Sequence, residues 1–236
     1  MKIAAILTGK ANSSFKNKNI KRIKNKFIFS YPCAEAKKVK QINKFYTSSD
    51  SKIILDNTKN IGFSIIKRPK FLAQKNSKHR DALIHALKKI NKDNFYPDIL
   101  VVLLANAPII KSTWIDESLR IIQKNKSITA VVPAQKNNDH HPQRAKRLKN
   151  GFLKNFIDKK NASTNRQDLE QCYFLCHNFW VIRTKEIYKN SGYSPWKFMG
   201  KNVKPYLIKD SIDIHNNLDL EIARSIIKND EYFKKA

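Results

Sequence analysis

Ile99-Leu100-Val101-Val102-Leu103-Leu104 is an unbroken apolar run between Pro97 and Pro108. A strand with one wet face alternates apolar and polar residues, whereas a strand covered on both faces does not. The run therefore predicts a strand deep inside a parallel sheet, with helices over both faces. The flanking sequence keeps the same rhythm. Upstream, Lys2 to Leu7, Lys44 to Ser48 and Phe63 to Ile66 read as strands. Between them lie three expected helices. Pro32 to Asn43 has its proline near the start; Ser51 to Ile61 carries Ile54 and Ile61 and stops at Gly62; Asp81 to Ile90 places Leu83, Leu87 and Ile90 at helical spacing.

Downstream, Ser112 is expected to cap a helix with Ile115, Leu119 and Ile122 as its buried stripe and Asp116 and Glu117 in its first turn. Ile128 to Pro133 is the next strand. Strands alternating with helices imply an α/β chain, a Rossmann-like three-layer sandwich around a mostly parallel central sheet. From Asn137 to Gln171 the pattern breaks into polar sequence. Arg147 to Lys149 and Phe152 to Phe156 flank Asn150-Gly151 and predict a hairpin. Cys172 to Arg183 reads as a long central strand, and Ser194 to Gly200 as a loop around Trp196. Val203 to Ile208 and Ser211 to Ile214 are expected to close the sheet, with Leu218, Ile222 and Ile226 marking the last helix. No second-domain boundary interrupts residues 1–236, which read as one domain.

Chemistry concentrates in a few places. On a strand, Ser211, Asp213 and His215 would share one face, and Ile212 and Ile214 the other. Ligands of open α/β sheets bind outside the carboxyl ends of the strands, so this carboxylate–imidazole pair is a candidate metal or phosphate site. The polar stretch Thr8 to Lys26 follows the first strand and carries Gly9, Lys10, Asn12, Ser13, Ser14, Lys18 and Asn19. Amides and ammonium groups in such a loop can hold phosphate oxygens, although neither GxxxxGK[ST] nor GxGxxG is present. His140-His141-Pro142 with Arg144 and Arg147, and Arg166 within Ser163 to Asp168, supply guanidinium groups able to grip a carboxylate or phosphate with two N–H bonds. His85 and His177 fall in an expected helix and strand and read as packing residues. No Ser-His-Asp arrangement, catalytic cysteine with a base, or four-ligand zinc set stands out.

The chain carries a formal charge of +28, from 38 Lys and 9 Arg against 19 acidic residues. The lysines are scattered and accompanied by abundant Asn and Ile, a bias that speaks against a dedicated nucleic-acid arm but still favours anionic substrates. No run of about 18 apolar residues predicts a membrane helix. The short apolar start reads as a strand and not as a signal peptide. The three cysteines, Cys33, Cys172 and Cys176, read as reduced thiols in a cytoplasmic protein.

Several stretches, taken in chain order, resemble the acylneuraminate cytidylyltransferase family, the CMP-sialic acid synthetases. They are Ile3 to Gly9 continued by Lys18-Asn19, Tyr46 to Asp50, Lys67-Arg68-Pro69 with Leu72-Ala73, Leu103 to Pro108, Asp139 to Pro142, and Asp210 to His215. The resemblance spans nearly the whole chain and implies a nucleotide-diphospho-sugar transferase type of fold. It implies transfer of CMP from CTP to the anomeric hydroxyl of an acidic, sialic-acid-like sugar, with pyrophosphate leaving. Asp213 would be the principal Mg²⁺ ligand, with His215 beside it and Mn²⁺ as an alternative ion. Thr8, Gly9, Lys10, Asn12, Lys18, Asn19, Arg68, His79 and Ala105 would address the nucleotide, and Arg144 and Arg166 the sugar carboxylate or the phosphates. A homodimer is implied, with 143–170 and about 191–202 as candidate contact excursions. Three positions depart from the family pattern. Gly9 stands where an Arg is usual, with Lys10 as a substitute charge; Ser13 stands where a Lys is usual; His215 replaces the second Asp of a D-x-D ending, leaving metal ligation, ligation through water and proton transfer all open for it. These changes imply a divergent branch with another acidic sugar, or a lost activity. The other readings are a nucleotidyltransferase of the same fold for another sugar, a basic nucleic-acid-binding protein and a non-catalytic homologue.

Overall fold

The computed structural model describes residues 1–11, 17–157 and 163–228, so Asn12, Ser13 and Ser14 of the first loop lie outside the described residues. Its strands are β1 (Ile3–Gly9), β2 (Arg22–Ile23), β3 (Lys26–Phe27), β4 (Lys44–Ser49), β5 (Ser64–Lys67), β6 (Ile99–Leu104), β7 (Ala130–Lys136), β8 (Lys146–Lys149), β9 (Phe152–Asn155), β10 (Tyr173–Leu175), β11 (Phe179–Arg183) and β12 (Val203–Leu207). The helices are α1 (Ser30–Lys38), α2 (Lys52–Asn60), α3 (His79–Lys92), α4 (Ser112–Lys124), α5 (Thr184–Lys189) and α6 (Asn217–Lys228).

The apolar run is β6, at the middle of an eight-stranded sheet. β5, β4, β1 and β6 lie side by side and parallel. β11 follows β6 antiparallel, β7 follows β11, and β12 pairs with β7 in parallel. Ile99, Val101 and Leu103 point into one core with Ile3, Ala5, Leu7 and residues of α1, α2 and α4. Leu100 and Val102 point into the other with Ala4, Ile6 and residues of α3 and α5. Each such side chain gains about 1.5–3 kcal/mol by leaving water, which is why both faces must be covered.

The expected long strand Cys172 to Arg183 is interrupted. Leu175 pairs with Ala134 and Val181 with Val131, so six residues advance on one side against three on the other. The three extra residues make a bulge at Cys176, His177 and Asn178, where only Cys176 keeps a hold on β7, its amide donating to the Pro133 carbonyl at 2.7 Å. Bulges re-aim side chains beside functional sites. Ser211 to Ile214 forms no strand; Ile214 is fixed instead by its amide on the Asn106 carbonyl at 3.0 Å and by full burial. Ser112 is not a cap but the first residue of α4, and its amide donates to Glu35 Oε2 at 2.9 Å. Asp116 and Glu117 fall beyond the first turn and accept from Gln41 and Tyr206.

In α6 the buried stripe is Leu220, Ala223 and Ile227, while Leu218 is 69% exposed. The helix packs on Ile23, Ile28, Ile109 and Ile214, and that small cluster chooses between two overlapping apolar stripes. The β8–β9 hairpin turns at Asn150 and Gly151, whose φ values of 53° and 78° suit the tight turn that matches strand twist.

Candidate active site

A cleft of about 1190 Å³ opens at the carboxyl ends of the parallel strands. Thr8 and Gly9 come from the end of β1, Asp50 follows β4, Arg68 follows β5, and Leu104 and Asn106 come from the end of β6. Lys10, Lys18 and Asn19 come from the first loop, and Lys70, Lys75 and Lys78 from the segment leading into α3. Six cations thus face one carboxylate among the described lining residues.

Arg68 and Lys10 are held differently. Arg68 is buried; its Nε donates to Ser48 Oγ at 3.2 Å and a terminal N–H to the Ser48 carbonyl at 2.8 Å. Burial pulls its pKa down to about 10 against the favourable charge of Asp50. Lys10 donates to the Gln74 carbonyl at 2.8 Å, and burial, then Arg68, lower its pKa. Asp50 accepts from the Ala11 amide at 2.8 Å. Asn19 donates to the Lys10 carbonyl, while its Oδ1 is buried without a partner. Thr8 Oγ1 donates to the Leu103 carbonyl at 3.3 Å, so the His79 Nε2 at 3.1 Å must be the N–H donor to it. Burial first, then Arg68, Lys10 and His177, pull His79 down to about 3 and keep it neutral.

Gly9 is required by a close approach. A Cβ there would stand 2.8 Å from Ala105 Cβ and 3.1 Å from Ile54 Cδ1. Ala105 is therefore the buried floor under Gly9, tied by its amide to the Thr8 carbonyl, and it does not line the cleft. The same contact leaves no room for an arginine at position 9, and Lys10 places the first positive charge of the loop.

Asp213 and His215 do not line this cleft themselves, but Ile214 between them is bonded to Asn106, which does. His215 Nε2 lies 3.0 Å from Asp213 Oδ2, and Asp213 Oδ1 is buried with no hydrogen-bond partner. Burial raises the Asp213 pKa, opposed by His215, Lys18 and His177. Lys18 also lines the cleft, so the pair lies within electrostatic reach of its cations. The bulge supplies the rest of this wall. Asn178 is fully buried, donating to the Ile109 carbonyl and accepting from Ser211 Oγ at 2.7 Å. His177 is half-buried between Trp180 and Trp196, with ring centroids 5.6 and 5.4 Å away, and burial lowers its pKa.

Arg144 and Arg166 lie elsewhere. Both are exposed beside Asp139, which Arg166 meets at 2.9 Å and whose pKa its hydrogen bond lowers. Neither lines the cleft. His141 is buried and accepts from the Gln143 amide through Nδ1, whereas His140 is exposed. Residues that sequence reasoning passed over are Asp50, Asn106, the lysines at 70, 75 and 78, His177 and Asn178.

Residues 5–209 match the family model described as cytidylyltransferase. The chain belongs to the cytidylyltransferase family. A cytidylyltransferase relative in Helicobacter pylori, "Pseudaminic acid cytidylyltransferase and UDP-2,4-diacetamido-2,4,6-trideoxy-beta-L-altropyranose hydrolase", is 28% identical over 173 residues, 72% of this chain. The chain spans only 32% of the length of that two-activity protein. "Post-translational flagellin modification protein B" of Campylobacter coli is 26% identical over 225 residues, 90% of this chain and 89% of that one. Among solved structures, CMP:2-keto-3-deoxy-manno-octonic acid synthetase complexed with CTP superposes with a TM-score of 0.73 at 13% identity, over 98% of this chain and 100% of that one. A 4-diphosphocytidyl-2C-methyl-D-erythritol synthase from Anaerococcus prevotii reaches 0.66 at 14%, over 97% and 96%. These likenesses establish the cytidylyltransferase fold for this chain. No helix among the described residues is long and apolar enough to cross a membrane.

Among the described residues, no three His, Cys, Asp or Glu side chains gather as a metal cage. Asp213, with its unpartnered buried oxygen, together with His215 fits a different arrangement. Magnesium is commonly held by one or two carboxylates plus substrate phosphates.

Proposed function

We propose that this chain transfers a cytidylyl group from CTP to the anomeric hydroxyl of a nonulosonic acid, releasing pyrophosphate. The observation that carries the reading is the cationic cleft at the strand ends, with Asp213 and His215 at its border. Family membership supports CTP as donor. The pseudaminic acid cytidylyltransferase activity in the name of the Helicobacter relative supports a nine-carbon sugar acid as acceptor.

In such a reaction the sugar oxygen attacks the α-phosphorus, the bond to the β-phosphate oxygen breaks, and negative charge grows on the pyrophosphate. Little covalent work falls to the protein, so alignment and fixed positive charge dominate. Lys10 and Lys18, which line the cleft, would contact phosphate oxygens. Arg68 acts as a fixed charge in the floor, since its N–H groups already bind the Ser48 backbone and hydroxyl. Neutral His79 positions Thr8. The lone Asn19 Oδ1 would accept a nucleotide hydroxyl or amino group, removing the roughly 1–3 kcal/mol cost of a buried unpaired acceptor. Asp213 and His215 would hold a divalent ion, which when bound neutralises triphosphate charge. With Asp213 on the ion, the proton of the attacking hydroxyl would pass to the neutral His177 imidazole. Arg144 and Arg166 could meet the sugar carboxylate only on the hairpin side of the molecule.

The reading includes a cytoplasmic homodimer. The three cysteines are free, and burial pushes the Cys33 thiol up and leaves it inert. The β8–β9 hairpin exposes Leu148, Phe152, Leu153 and Phe156, an apolar surface for a second copy. The function is tested by measuring pyrophosphate release with all four NTPs crossed against a panel of sialic, legionaminic and pseudaminic acids. A CMP-sugar mass with CTP alone is expected; release with a different NTP, or none with any acid, overturns the reading.

A further inference from the structure

We propose that Asp213 and His215 together ligate a first-row transition ion, manganese or cobalt, in preference to magnesium. The proposal rests on the nucleotide-transfer reading above and concerns which ion accompanies the triphosphate in this chain.

Geometry comes first. Asp213 Oδ2 and His215 Nε2 are 3.0 Å apart. Adjacent donors on an octahedral ion with bonds near 2.1 Å stand about 3 Å apart, so the pair already has the bite of two neighbouring ligands. The second carboxylate oxygen, Oδ1, is buried with nothing to accept from, and a cation at Oδ2 would offset part of the cost of keeping that carboxylate charged. The segment is also fixed without being a strand. The Ile214 amide is bonded to the Asn106 carbonyl, and the His215 amide donates to Asp219 Oδ2 at 2.7 Å. Asp219 in turn donates its amide to Asn216 Oδ1, closing a reciprocal cap at the start of α6. Between these anchors the His215 side chain is 59% exposed and can be reached from solvent.

Chemistry then chooses the ion. Magnesium takes oxygen ligands and holds its waters tightly, whereas imidazole raises affinity along the first-row series. One oxygen and one nitrogen from the protein leave the remaining positions to phosphate oxygens and water. No third protein ligand stands among the described residues, so the ion would arrive with the nucleotide.

The test is pulsed electron paramagnetic resonance on the full chain with Mn²⁺ and CTP, alongside competition between Mn²⁺ and Mg²⁺ in the same complex. A ¹⁴N coupling to manganese is expected in the wild type, and its loss in His215→Asp and His215→Gln. The preference for Mn²⁺ over Mg²⁺ should exceed that of free CTP by roughly tenfold or more, and fall back to the free-nucleotide ratio in both variants. If CTP and Mn²⁺ bind with no nitrogen coupling and an unchanged ratio, His215 merely pairs with Asp213; the proposal falls and the functional reading stands. If CTP fails to bind with either ion, both fall.

Discussion

Asp213 carries a cost in the free protein, because burial disfavours its charge and one oxygen has no partner. A residue kept at such a cost is expected to be repaid in the complex. Asp213→Ala should therefore lower pyrophosphate release by at least about 100-fold, the scale of losing one fixed electrostatic contact in a transition state. Its melting temperature should stay level or rise, since an unsatisfied buried group is removed. Turnover near wild type would take Asp213 out of the mechanism. His215→Asp should keep or increase Mg²⁺-supported turnover by restoring an all-oxygen site. His79 has the opposite character, a neutral ring under positive neighbours. Its folded value of about 3 lies below the ordinary 6.5, so between those values the unfolded chain binds a proton that the folded chain refuses. Stability from this group is complete above about 6.5 and is lost as pH falls towards 3. Denaturant titrations across that window should show a shallower fall for His79→Gln than for wild type. Parallel curves would mean that burial, aided by Arg68, Lys10 and His177, does not hold the ring neutral.

The β8–β9 hairpin is the element whose surroundings are least self-sufficient. Leu148 and Leu153 face each other across the ladder and are 74% and 72% exposed. Isolated two-stranded hairpins are marginal in water, so a cover is expected. Leu148→Glu with Leu153→Glu should convert a dimer to a monomer by light scattering while leaving the sheet's melting little changed; a monomeric wild type, or a variant that stays dimeric, removes this face from the dimer. The hairpin could be read from the sequence because its cause is local: Asn150-Gly151 alone supplies both positive φ values. The β6 run could be read because burial on two faces leaves a continuous apolar stretch. The bulge at 176–178 could not, since it exists only as a register difference against β7. Ser211 to Ile214 shows a subtler case. Its alternation placed Ile214 inward and Asp213 with His215 together without any ladder, so the side chains were read correctly on an element that is not a strand. Lys70, Lys75 and Lys78 could not be told from the other lysines of a chain with 38 until folding brought them to one cleft.

At the scale of the molecule, a charge of +28 acts in two places at once. Spread over the surface, it repels itself and destabilises the compact state; gathered in the cleft, it draws in a polyanion. Salt should therefore move the two in opposite directions. Raising ionic strength shortens the screening distance to about 10 Å at 0.1 M and about 3 Å at 1 M. Melting temperature is expected to rise with sodium chloride, while CTP affinity falls by roughly tenfold between low and physiological salt as the attraction is screened. The two effects separate by position. Lys92 and Lys124 end α3 and α4, are exposed, and do not line the cleft. Lys92→Gln with Lys124→Gln should reduce the salt dependence of melting and leave CTP affinity unchanged. Lys10→Gln with Lys18→Gln should flatten the salt dependence of CTP binding. Equal effects of both pairs on CTP affinity, measured by calorimetry, would mean that the nucleotide senses the whole surface and that the six cations of the cleft hold no special place.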